Sequence, residues 1–127
     1  MASTISTYLQ NKILDKTLRN TDYTVATVYV SLHTANPGEA GASEVTGGSY
    51  ARQSASFDAA TGDPGVGDNT ANIVFASMPA ATVTAVGLWD ASTAGNFLWG
   101  GDLTASKPVS AGYTFQINAG ALDVQLD

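Results

Sequence analysis

The spacing of apolar residues changes once along this chain, and that change limits the folds open to it. Up to Leu18 the sequence is rich in helix formers, whereas from Thr24 onward apolar residues alternate with others at a period of two. The clearest example is VYVSLH at residues 28–33. Because a period of two is typical of half-buried strands, we expect one N-terminal helix followed only by β structure.

The helix is expected within residues 1–20, with Ser3 or Thr4 as its N-cap and Asn20 at its end. At about 100° per residue its apolar side chains form two groups. The first group is Ile5, Tyr8 and Leu9, the second, roughly opposite, is Leu14 and Leu18, and Ile13 lies between them. One interpretation is that the helix packs on its own β domain with one group and on a neighbouring subunit with the other. The alternative is that a loop of the same chain covers the second group.

The remainder of the chain predicts about seven short strands. They are expected at residues 28–33, 50–57, 73–75, 83–89, 97–100, 113–117 and 122–126, with Gly-rich loops at 34–48 and 60–69. The turn ASTAGN joins the fourth and fifth strands as a hairpin that brings two Trp-bearing strands together. We therefore expect a mainly β chain: a single β-sandwich or jelly-roll-like domain of seven to eight strands over residues 21–127, preceded by the helix.

Composition excludes several classes of partner. The chain has 127 residues, a length suited to one domain, and no apolar run approaches the 18 residues of a membrane span. Its formal net charge of -6 argues against binding nucleic acid. It has no cysteine, which excludes disulfides and thiolate metal sites. The first twenty residues lack a secretory signal pattern, so we expect the chain not to be exported from the cytoplasm on its own.

The charge is unevenly distributed. Residues 1–20 carry three basic residues and one acid, for a net charge of +2, whereas residues 21–127 carry two basic residues and ten acids, for a net charge of -8. The basic residues of the helix are Lys12, Lys16 and Arg19. They are explained either by the preference of cations for a helix C-terminus or by docking onto an acidic neighbouring surface.

The sequence offers little that indicates catalysis. His33 is the only histidine, and a single histidine at a strand end is more typical of a surface or turn-bonding residue than of a general base. Asp58, Asp63 and Asp68 lie in or beside the loop at 60–69, but their spacing does not match a calcium-binding loop, so a structural turn is preferred. We expect no catalytic residue, no metal and no cofactor.

The aromatic residues allow two interpretations. Trp89, Phe97, Trp99, Tyr113 and Phe115 lie at alternating strand positions, which favours a core, while a sugar-binding platform is the alternative. Arg52 lies within a predicted strand and is expected to pair with an acid, either across the sheet or at an interface.

Several short motifs, taken in order, resemble a family of small tailed-bacteriophage virion proteins, many of which are described as tail fibre proteins. The matching elements are Asn11-Lys12, Leu14-Asp15, Leu32-His33-Thr34, GSYAR at 48–52, NIVF at 72–75, the hairpin at 88–99, KPV at 107–109, Ala111-Gly112 and GAL at 120–122. The resemblance covers nearly the whole chain. Each motif is weak alone, but the set is fairly specific.

The resemblance implies a structural role in the virion without catalysis. Because the chain lacks the long repetitive or coiled segments of a fibre shaft, we expect first a capsid cement or decoration protein that bridges neighbouring subunits. A tail or tail-fibre component, either an adaptor or a receptor-binding tip, is the alternative, and a carbohydrate-binding module is a third. Expected partners are other virion proteins, with the major capsid protein favoured over tail proteins, and further copies of the chain, as a trimer. The residues expected to make these contacts are Ile5, Tyr8, Leu9, Lys12, Lys16, Arg19, Asn36, Pro37, Glu39 and Glu44.

Overall fold

A computed structural model describes residues 4–126 and shows a mainly β, sandwich-like fold with one helix. The helix α1 spans Thr7–Arg19. Nine strands are formed: β1 (Thr4–Ile5), β2 (Val28–His33), β3 (Gln53–Ala55), β4 (Gly65–Asp68), β5 (Ile73–Phe75), β6 (Ala81–Trp89), β7 (Phe97–Val109), β8 (Phe115–Ile117) and β9 (Asp123–Leu126). The seven predicted strands are all present.

The helix begins later than predicted. Its N-cap is Ser6, whose hydroxyl accepts a hydrogen bond from the backbone N–H of Leu9. Thr4 is not a cap because Thr4 and Ile5 form β1, which pairs with β7; Ser3 lies outside the described residues. The predicted end at Asn20 is confirmed, since Asn20 has the left-handed conformation that commonly terminates helices.

Five antiparallel strands form the main sheet in the order β1-β7-β6-β2-β3. The predicted hairpin joins β6 and β7, and places Leu88 opposite Trp99 and Trp89 opposite Phe97. Two small ribbons, β4 with β9 and β5 with β8, complete the β structure. The prediction of a loop at 60–69 is wrong in part, because β4 forms within that segment. The β4 sequence GVGD lacks the apolar alternation that indicates a strand.

The core lies between the main sheet, the β5–β8 ribbon and α1. Its buried side chains come from β2 and β6 of the sheet, from the ribbon and from Leu9 of the helix, and include Val30, Leu32, Val86, Leu88, Phe75 and Ile117. The other face of the sheet is covered by the long loop at 34–48, whose Pro37 is fully buried. Both faces of β2 are therefore covered, which explains why Ser31 and His33 are as buried as Val30 and Leu32.

Candidate docking surfaces

The start of α1 is fixed to the main sheet through one residue. Ser6 donates from its backbone N–H to the carbonyl of Leu98 at 2.8 Å, and from its hydroxyl to the carbonyl of Phe97 at 2.6 Å. The same hydroxyl caps the helix by accepting from Leu9. Because the N-terminal end is held this way, the orientation of α1 on the sheet is set by β7.

The two apolar groups of the helix have different surroundings. Leu9 is 4% exposed and belongs to the core, and Ile5, Tyr8 and Ile13 pack against that core. Leu14 and Leu18, in contrast, are 53% and 74% exposed. The prediction that two patches point in different directions is therefore confirmed, and the interpretation that a loop of the same chain covers the second one is wrong.

The structure leaves the basic side chains of α1 at the surface. Lys16 pairs with Asp22 at 3.0 Å and Arg19 with Asp15 at 3.6 Å, in both cases between largely solvated groups. The ammonium of Lys12 lies 5.5 Å from the centre of the Tyr8 ring. Exposed ion pairs contribute only about 0.2–1 kcal/mol, so these cations can exchange their partners for those of another protein at little cost.

The loop residues predicted to make contacts divide into two classes. Asn36 and Glu39 are exposed: Asn36 donates to Asp102 at 3.1 Å, and Glu39 accepts from the hydroxyl of Thr7 at 3.0 Å. The second contact brings the loop beside the start of α1. Pro37 is buried against the sheet, where its side chain lies next to Gly100. Pro37 and Leu9 thus have little surface to offer a partner.

Glu44 is occupied within the chain. Arg52 donates from Nε and Nη2 to the two oxygens of the Glu44 carboxylate at 3.0 and 2.9 Å, and from Nη1 to the carbonyls of Ala91 and Ala94. The guanidinium also lies 3.6 Å from the centre of a Trp89 ring. Burial alone would raise the pKa of Glu44, but the hydrogen bonds from Arg52 and Tyr50 outweigh it and hold the pKa below its usual value. Arg52 precedes β3 instead of lying within a strand as predicted, and its acid is Glu44 of the long loop in the same chain.

His33 is buried, so the prediction that it lies at the surface is wrong. The alternative prediction, that it bonds to the turn that follows its strand, is confirmed. Its Nδ1 donates to the carbonyl of Ala42 at 2.6 Å, because a carbonyl can only accept. In the neutral ring Nε2 then accepts from the Ser31 hydroxyl at 2.6 Å, and that oxygen accepts from the Trp89 indole N–H at 2.9 Å. This series of hydrogen bonds from Ala42 through His33 and Ser31 to Trp89 ties β2 and β6 to the loop.

The burial of His33 gives a prediction about pH. Burial lowers its pKa below the ordinary 6.5 and outweighs the hydrogen bond to Ala42. The unfolded chain therefore binds more protons below pH 6.5, and the free energy of unfolding should fall as pH decreases from 7 to 5, by at most about 1.4 kcal/mol per pH unit for one proton. Urea titrations across this range measure it.

The matched variant for that prediction is His33→Gln, whose curve should be flatter between pH 7 and 5. The pKa of Glu44, the carboxylate that faces His33, is held below its ordinary 4.5, so this group keeps its charge between pH 7 and 5. Equal slopes in the two proteins would contradict the assignment to His33.

An open apolar cleft of about 380 Å³ separates the β4–β9 ribbon from the main sheet. The sheet contributes Val28, Leu88, Leu98 and Trp99, the ribbon contributes Gly65, Gly67, Val124 and Leu126, and the segment before β4 adds Phe57 and Ala60. The sequence did not predict this cleft. The available signal was the pair of glycines in GVGD, which is unusual within a strand.

Carboxylates gather at one end of the β4–β9 ribbon. Asp68 is the register partner of Asp123, and its backbone N–H donates to Asp58 at 2.9 Å. Hydrogen bonding with the Asp123 carboxyl raises the pKa of Asp68, with burial and the Asp58 charge adding to the effect. Within residues 4–126 no group of three carboxylate, histidine or cysteine side chains is placed to hold a metal ion.

The aromatic residues do not form one platform. Trp89 and Phe97 are buried and pack edge-to-face with ring centres 5.1 Å apart, whereas Tyr113 is exposed. The core interpretation is confirmed for that pair. The helix α1, the only one among the described residues, is too short and too polar to cross a membrane.

Comparison with known families agrees with the sequence motifs. Residues 4–125 match the family described as podophage GP4 fiber I protein gp80. No curated protein matches the chain. Because the family match covers almost the entire chain, the resemblance to tailed-phage virion proteins is confirmed. The chain belongs to the podophage GP4 fiber I protein gp80 family.

Proposed function

We propose that this protein is a non-catalytic attachment component of the virion, which docks onto a neighbouring virion protein through α1 and the adjacent part of the loop at 34–48. The observation that carries the proposal is the exposure of apolar and basic side chains on the outward side of α1. Its start is fixed rigidly to the sheet by Ser6, while Leu14, Leu18 and the basic side chains remain at the surface. A fibre-type family supports a role in binding other virion proteins.

Charge defines the kind of partner expected. The helix carries Lys12, Lys16 and Arg19 against Asp15, on a chain with a net charge of -6. Opposite charge accelerates encounter and fixes orientation more than it adds affinity. We therefore propose an acidic docking surface on the partner, contacted by the basic residues of α1 and by the exposed loop residue Asn36.

A capsid cement role is a second proposal. The only helix among residues 4–126 has 13 residues, and this part of the chain contains no coiled-coil or repetitive segment of the kind that builds a fibre shaft. A compact protein of this type that binds only the assembled shell would stabilise it by mass action. In that role the partner would be the major capsid protein and the protein itself would form trimers.

Neutralising the helix charges tests the docking surface. Phages supplied with the Lys12→Gln/Lys16→Gln/Arg19→Gln chain should carry about tenfold fewer copies per particle, because three exposed charge pairs are lost. Glutamine is a good helix former, so folding should be unaffected. Quantitative mass spectrometry of purified particles measures the copy number.

The matched control is Lys107→Gln, which removes an exposed basic residue on β7, and should leave incorporation unchanged. If the triple variant is incorporated as fully as the control, α1 is not the docking element. Immunogold electron microscopy of the same particles separates the two roles: labelling on the tail supports the fibre role, and labelling over the capsid supports the cement role. If particles that lack the protein resist heat as well as particles that contain it, the cement role is excluded.

A further inference from the structure

Two glycines keep the apolar cleft open. Gly65 and Gly67 lie in β4 and line the cleft. A Cβ built at Gly65 would meet no atom within 4 Å, and one at Gly67 would meet only the Asp58 carbonyl at 3.8 Å; neither residue has a left-handed φ. The backbone therefore does not require glycine here. Glycine weakens a strand, and its use inside one often marks the close approach of another molecule.

The segments that line the cleft carry charge of one sign. Within two positions of the residues that line it, the described chain contains five acids and no basic residue: Asp58, Asp63, Asp68, Asp90 and Asp123. An apolar cleft whose lining segments carry acids and no basic residue favours an occupant that is apolar at its centre and basic at its margins.

The chain itself carries such an element. Five large apolar side chains are exposed among the described residues: Leu14, Leu18, Val74, Tyr113 and Leu126. Leu126 belongs to the cleft, and Leu14 and Leu18 are neighbours at a spacing of four on one face of α1. The same helix carries three basic residues against one acid. It is thus complementary to the cleft in both polarity and charge.

We propose that the cleft of one copy binds the Leu14–Leu18 face of α1 from a second copy. The two surfaces differ, so the contact is head-to-tail, and repetition generates a closed ring when the rotation permits or an open chain when it does not. The inference rests on the same face of α1 as the proposed function and names a second copy of the chain as its occupant. It is tested on the purified chain, so its failure is distinguishable from a failure of the incorporation experiment on particles.

Two sets of variants test the two sides of the contact. The helix variant Leu14→Gln/Leu18→Gln removes the exposed leucines and keeps helix propensity. The cleft variant Gly65→Leu/Gly67→Leu fills the space beside β4. Each should raise the dissociation constant of self-association in sedimentation equilibrium by about a hundredfold or more, since two apolar side chains lose their burial. The melting temperature of the cleft variant should equal or exceed that of the wild type.

Mixing the two variants provides the decisive measurement. The helix variant still has an intact cleft and the cleft variant still has an intact helix, so a head-to-tail contact predicts a 1:1 complex that grows no further. Val74→Thr/Tyr113→Ser is the control, because it removes two exposed apolar side chains elsewhere and should associate like the wild type.

Three outcomes would overturn the proposal: a wild-type chain that remains monomeric up to about 1 mM, a mixture of variants that forms no complex, or a control that loses association as strongly as the helix variant. If the cleft variant fails to fold, Trp99, which lines the cleft, serves instead: its fluorescence should change with wild-type concentration and stay constant in the helix variant. A signal independent of concentration in the wild type contradicts the contact.

Discussion

Replacing Arg52 with alanine is expected to lower the free energy of unfolding by about 3–5 kcal/mol, because it leaves a partly buried carboxylate without its cation. The side chain of Arg52 is 8% exposed, and that of Glu44 22%. The variant also removes hydrogen bonds to two carbonyls of the β6–β7 turn and the contact with Trp89. Arg52, which immediately precedes β3, thus joins the long loop and the hairpin turn in one set of contacts.

The matched control is Arg19→Ala. It also removes an arginine paired with a carboxylate, but the Arg19 side chain is 73% exposed and its distance to Asp15 is 3.6 Å, so the loss should remain below about 1 kcal/mol. Urea unfolding at pH 7 measures both values. A loss for Arg52→Ala no larger than that of the control would show that the loop and turn are held by other contacts.

Replacing Gly87 with alanine is the second change with a large expected effect, a loss of about 3 kcal/mol. A Cβ at this position would lie 2.6 Å from the Phe97 ring, 2.7 Å from the Ser31 hydroxyl and 2.8 Å from His33 Nε2. All three neighbours are buried, and two of them belong to the hydrogen-bonded chain that ends at the loop. Overpacking of this kind forces side chains out of their rotamers and shifts the backbone.

Gly65→Ala is the control for that variant, since it adds the same methyl group to a strand where nothing lies within 4 Å. It should stabilise the isolated chain by about 0.5–1 kcal/mol, because alanine restricts the unfolded state more than glycine does. Opposite signs are therefore expected from the same substitution in two strands. Equal effects in thermal or urea unfolding would contradict the packing described around Gly87.

Local patterns in the sequence predict those elements whose stability is decided locally. The alternation in residues 28–33 and 83–89, the hairpin turn and the helix end at Asn20 all follow from short-range spacing, and the structure confirms them. The strand β1 could not be predicted this way, because two residues become a strand only by pairing with distant β7. The strand β4 depends in the same manner on β9.

The contact residues were harder to predict than the fold. Helical spacing separates the two apolar groups of α1 but does not say which group faces the core; the structure turns Leu9 inward and leaves Leu14 and Leu18 outward. Likewise, nothing local shows that Pro37 is buried against the sheet or that Glu44 is paired with Arg52. These facts depend on how the long loop covers the sheet.

The attachment of Ser6 to β7 also has a consequence for biosynthesis. Residues 4–6 leave the ribosome long before Phe97 and Leu98, the residues whose carbonyls hold Ser6. Helices of fewer than about 12–15 residues are marginal on their own, so α1 has no stable position until the β6–β7 hairpin has been synthesised. The helix α1 is thus translated well before the residues that secure it, and its leucines stay available to chaperones, or to another nascent copy, until β7 has been synthesised.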